Sequence, residues 1–114
     1  MTKDERAFLS DLVGTGCALC RLNGYEGTPA EVHHVRTGVG VGRRSSHWRT
    51  IPLCPEHHRG ASGFHGLGRR LWEQTYGISE LGLMDFARKS LQHCLTLERR
   101  VVSYYLPGSD VEPE

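Results

Sequence analysis

At 114 residues with a formal net charge of +1, the chain suits one small domain, whose modest core a structural metal would reinforce. No stretch approaches the length of a helical membrane span, and no apolar segment follows a basic start as in a secretory leader. The expected compartment is therefore the cytosol, where thiols stay reduced and cysteines read as metal ligands before they read as disulfide partners.

Thr2 to Val13 carries a helical pattern: Thr2 and Glu5 fit a capping box, Phe8 and Leu12 recur at helical spacing, and Gly14 and Gly16 stop the run. A tight C-x-x-C turn follows at Cys17 to Cys20, then loop chemistry from Asn23 to Pro29. Residues 30–35, with Val32 and Val35, form a short strand candidate, and 37–42 is glycine-rich. Residues 48–53 form a second strand candidate through Ile51 and Leu53, with Pro52 placing it at an edge. Pro55 to Arg59 opens as a helix, with proline near its first position. Gly60, Gly63, Gly66 and Gly68 break it. Helical pattern resumes from Arg69 to Tyr76 and ends at Gly77. From Ser79 to about Leu106 a longer helical stretch aligns Leu83, Ala87, Leu91 and Cys94 on one stripe; Val101 to Leu106 also fits a strand, being β-branched and aromatic. Residues 107–114 read as a disordered acidic tail.

Charge is distributed unevenly along this order. Residues 32–70 hold seven arginines (Arg36, Arg43, Arg44, Arg49, Arg59, Arg69 and Arg70) against one acid, Glu56, and six of the seven histidines. The flanking segments are net acidic. A local field of that sign attracts phosphate whatever the total charge is; a solvated arginine face is the alternative.

Two knuckles bracket the strand candidates: Cys17-x-x-Cys20 and Cys54-x-x-His57, with 33 residues between them. Zinc takes four soft or borderline ligands in a tetrahedron, and a two-residue gap lets one turn supply two of them. Ordinary buried cysteines are the alternative. Beside the knuckles stands a second set: His33, His34, His58 and His65. Adjacent residues on a strand point to opposite sides, so one of His33 and His34 can bind a metal while the other meets water or substrate. Three imidazoles can hold a divalent ion with positions left open, and a fourth can take a proton.

The segments Cys17-Ala-Leu-Cys20, Ala30-Glu31-Val32-His33-His34 and Ile51-Pro52-Leu53-Cys54-Pro55-Glu56-His57-His58 together resemble HNH endonucleases with a zinc-braced ββα-metal core. Within that superfamily the chain is most similar to the phage recombination-enhancement nucleases, the Ref or RecA-dependent nuclease family. The resemblance implies an α+β fold: a small ββα-metal (HNH) core at 17–77, an N-terminal helix at 1–16 packed on it, and a C-terminal helical segment at 78–106. It implies a structural Zn2+ on Cys17, Cys20, Cys54 and His57, and a catalytic Mg2+ or Mn2+, with Zn2+ as the alternative, on His33, His58 and His65. His65 stands seven residues after His58 across glycines, where the family pattern often has an interval of four. His34 is the implied general base. The family's middle position is usually Asn, and here His47 or Arg49 takes its place. Arg36 and Arg59 are the cations nearest the reacting phosphate in sequence, and Arg43, Arg44, Arg69 and Arg70 complete the implied DNA contacts. The implied activity is one-metal hydrolysis of DNA phosphodiesters in recombination or DNA processing. DNA is the partner, and RecA-coated DNA follows from the family alone; the chain would act as a monomer or homodimer in a bacterial or phage-infected cell. Two other readings use the same residues: a non-catalytic zinc module that binds DNA or protein, and a redox protein built on Cys17-x-x-Cys20, which lacks the βαβ context of such motifs.

Overall fold

Thr2 caps helix α1 (Lys3–Gly14) reciprocally: its hydroxyl accepts the Glu5 N–H at 3.0 Å, and the Glu5 carboxylate accepts the Thr2 N–H at 2.7 Å. The computed structural model describes residues 1–106, so the tail expected over 107–114 lies outside the described residues. Helix α1 buries Phe8 and Leu12, as their spacing predicts. Cys17 caps the short helix α2 (Ala18–Leu22), its sulfur accepting the Cys20 N–H at 3.4 Å.

The two strand candidates pair. Strand β1 (Glu31–His34) runs antiparallel to β2 (Thr50–Leu53), with His33 opposite Ile51 and His34 opposite Thr50. Each is shorter than the sequence pattern suggests, although Val35 still donates to the Arg49 carbonyl at 2.8 Å. A two-stranded sheet has only edges, which is where Pro52 is tolerated. Three helices follow at once: α3 (Pro55–Arg59), α4 (Phe64–Leu67) and α5 (Arg69–Tyr76), the last closed by Gly77 in the left-handed region at φ 69°. The order strand, strand, helix gives the expected ββα arrangement within an α+β fold.

Helix α6 (Glu80–Leu97) packs across the sheet and the first two helices, and its buried stripe is Leu83, Ala87, Leu91 and Leu95. Leu95 takes the place expected for Cys94, which is only half-buried. The helix also ends earlier than its sequence pattern suggests. Arg99 turns the chain at φ 53°, and Val101 to Leu106 is neither helix nor strand. Side chains hold this segment: the Tyr104 hydroxyl donates to Asp11 at 2.6 Å, Arg100 clamps the same carboxylate at 3.0 and 3.2 Å, and the Ser103 hydroxyl donates to Asp4 at 3.0 Å. The Tyr104 ring sits edge-on to Phe8 at 5.6 Å. Burial, then the Asp11 carboxylate, pushes the phenol above its usual range, so it remains a donor.

Tyr104→Phe is therefore expected to cost roughly 1.5–3 kcal/mol, the range for a hydrogen bond to a charged group. Urea denaturation would read this as a lower midpoint at unchanged slope. An unmoved midpoint would mean that the ring, and not the hydroxyl, anchors the segment. Among the described residues, no helix is long and apolar enough to cross a membrane.

Candidate metal centre

The first Cys/His group assembles from three places. Cys17 and Cys20 come from the α2 turn, Cys54 from the end of β2, and His57 from the first turns of α3. His57 Nδ1 lies 3.7 Å from Cys17 Sγ, 3.5 Å from Cys20 Sγ and 3.3 Å from Cys54 Sγ, and the sulfurs of Cys20 and Cys54 are 4.0 Å apart. A tetrahedron built on ordinary zinc bond lengths has S···N edges of about 3.6 Å and S···S edges of about 3.8 Å. The four donors therefore form a group able to hold a metal ion such as zinc. Burial pushes the Cys17 thiol up to about 12. The Cys17 sulfur is thus a thiolate only alongside a cation, so metal uptake there and proton release go together. Burial lowers the His57 pKa, which favours the neutral imidazole a metal needs.

A second group lies one residue away along α3. His33, His58 and His65 each bring a ring nitrogen to within 4.8 Å of the others. The Nε2 atoms of His58 and His65 are 3.2 Å apart. His33 is 1% exposed, and its Nδ1 is buried with no hydrogen-bond partner. Such an orphan is costly unless something absent from the polypeptide satisfies it. Two ring nitrogens of this group meet carboxylates: His33 Nε2 lies 2.6 Å from Glu80, and His58 Nδ1 lies 2.7 Å from Glu31. Histidines that bind metals usually have their second nitrogen held in this way. The donor set thus fits a divalent ion.

Glycine explains how His65 reaches His58 across an unusual interval. A Cβ on Gly63 would strike the Glu56 carbonyl oxygen and come within 2.8 Å of the His58 carbonyl carbon. One on Gly66 would strike the Gly60 carbonyl oxygen. The chain folds back over α3 so closely that only bare backbone fits, and α4 then presents His65 to the cluster.

His34 belongs to neither group. It is half-buried, and its Nε2 lies 3.0 Å from His47 Nδ1. Burial, followed by the neighbouring His47, His33 and His58, lowers its pKa, so it lies within electrostatic range of the cluster and stays neutral near pH 7. Of the two residues considered for the middle position, His47 meets His34. Arg49 turns away, donating to the Thr37 carbonyl at 2.8 Å.

The arginines divide. Arg43, Arg44 and Arg70 are exposed. Arg59 is engaged by Glu31 at 2.8 Å and Arg69 by Glu73 at 3.4 Å, while Arg36 donates to the Arg43 carbonyl at 3.1 Å within the glycine-rich loop.

Sequence reasoning missed both carboxylates. Glu31 has a weak signal, since alternation along β1 puts it on the same face as His33. Glu80 has none: it sits 47 residues from its histidine partner and reads as an ordinary first-turn acid.

A ββα unit carrying a Cys/His group and a three-histidine group side by side defines a small α+β protein with two groups able to hold metal ions. Within that class the chain belongs to the recombination enhancement, RecA-dependent nuclease family, whose model matches residues 1–77. No curated protein and no solved structure matches it.

Proposed function

We propose that this chain is a metal-dependent DNA endonuclease of the HNH type, acting in recombination with RecA-coated DNA as its natural target. The carrying observation is the convergence of ring nitrogens of His33, His58 and His65, together with a His33 Nδ1 that is buried and has no partner in the polypeptide. Family membership supports nuclease chemistry and the RecA link.

When bound there, Mg2+, Mn2+ or Zn2+ supplies Lewis-acid stabilisation of charge on the phosphate. The protein's own residues do the rest. His33, His58 and His65 hold the ion. His34 takes a proton from the attacking water, with His47 against its Nε2 fixing the ring. Arg36, and Arg59 once drawn from Glu31, stand near enough in sequence to share phosphate charge. Cys17, Cys20, Cys54 and His57 hold a structural zinc that locks β2 and α3 to α2 and performs no chemistry. Supercoiled plasmid tests the reading: nicking with Mg2+ or Mn2+ that stops with EDTA is expected. A folded, zinc-loaded protein that binds DNA and never nicks it would indicate a non-catalytic module.

DNA binding is expected to be weakly sequence-specific and steeply salt-dependent, because arginines that neutralise phosphates release counterions. Arg43 and Arg44 are exposed in the loop between the strands, and Arg70 is exposed on α5. Replacing Arg43 and Arg44 together is expected to flatten the slope of log K against log salt by roughly two. An unchanged slope would place that loop away from the DNA.

A further inference from the structure

Glu80 lies beyond the residues that the family model matches, on the first turn of α6. It is fully buried, and its carboxylate takes its hydrogen bonds from His33, Arg36 and Thr37. Oε2 faces His33 Nε2 at 2.6 Å and the Arg36 N–H at 3.0 Å. Oε1 accepts the Thr37 N–H at 2.8 Å, the Thr37 hydroxyl at 2.6 Å and a longer share of the Arg36 N–H at 3.1 Å. An ionised carboxylate only accepts, so the His33 nitrogen facing it carries the proton. A neutral imidazole has one N–H, which leaves the lone pair on Nδ1, the buried atom without a partner.

We infer that Glu80 is a positioning residue that locks His33 in the Nε2–H tautomer, making Nδ1 a metal donor, and ties that donor to the start of the arginine loop at Arg36 and Thr37. The inference rests on the metal site proposed above. It makes α6 part of that site although the helix supplies no ligand.

Glu80→Gln tests it with almost no change of shape. The Arg36 and Thr37 backbone N–H groups cannot become acceptors, so the amide oxygen must serve them. The amide NH2 then faces His33 Nε2, which has to accept. The imidazole proton moves to Nδ1, where the ion would bind.

The experiment uses the full chain with its structural zinc and no added second metal. Long-range 1H–15N correlation on histidine-labelled protein reads the His33 tautomer, and Mn2+ titration followed by electron paramagnetic resonance reads affinity. The parent is expected to show Nε2–H. Glu80→Gln is expected to show Nδ1–H and to bind Mn2+ about 10- to 100-fold more weakly, the usual loss on removing such a partner, at unchanged zinc content. A parent with the proton on Nδ1, or a folded Glu80→Gln protein with parental Mn2+ affinity, overturns the inference. If the variant does not fold, the parental tautomer decides. Failure of the underlying reading looks different: a parent with Nε2–H that binds no Mn2+ overturns the metal site while supporting the Glu80–His33 assignment.

Discussion

His34→Ala is expected to retain metal and DNA binding and to lose the chemical step by about 10²- to 10⁴-fold, the usual contribution of a general base. The two adjacent histidines of β1 make this a sharp contrast. His33 is buried and belongs to the three-histidine group, whereas His34 meets His47. His33→Ala is therefore expected to fail by losing the ion, with excess Mn2+ recovering part of the rate. His34→Ala is expected to bind Mn2+ normally and to respond instead to added imidazole. Single-turnover nicking at saturating metal separates the two. Parental cleavage by His34→Ala would end its assignment as the base, and loss of metal by His34→Ala alone would exchange the two roles.

Removing the structural ion is expected to unfold the chain. Three sulfurs, from the α2 turn and the end of β2, meet around His57 Nδ1 of α3, and structural zinc in small modules contributes on the order of 10 kcal/mol to folding. That exceeds the whole net stability of many small domains, roughly 5 kcal/mol. The purified protein is expected to hold one such zinc per chain. Cys20→Ala is expected to be unfolded or aggregated, while Cys94→Ala stays folded because Cys94 is outside both groups. Metal analysis paired with far-ultraviolet circular dichroism checks this: a zinc-free chain with a native spectrum would contradict it.

Much of this architecture was legible because its signals are local. The capping box at Thr2 and Glu5, the paired knuckles and the alternation around His33 each depend on neighbours a few residues apart, and each appears where expected. What escaped depends on distance or on the absence of side chains. Nothing near Glu80 announces a partner in β1. The glycines after α3 read as helix breakers, and their second use, letting the chain fold back on itself, shows only when the carbonyls of Glu56 and Gly60 are seen against them. Residues 101–106 have strand-forming composition, yet they pair with neither open edge of the two-stranded sheet. The segment is instead fastened to α1 through Asp11, a contact spanning 93 residues for Tyr104.

His57 and His58 share a peptide bond, yet one turns Nδ1 toward the sulfurs and the other Nε2 toward His65. Successive residues of a helix diverge by about 100°, so this single step of α3 sets the angle between the two sites. An insertion or deletion of one residue between Cys54 and His57 would bring the wrong side chain to each group and disable both together. The loop between the strands, by contrast, can lengthen or shorten without touching that angle. Length variation among natural or engineered forms is therefore expected to collect at residues 38–46 and to be absent from the four-residue knuckle that closes β2.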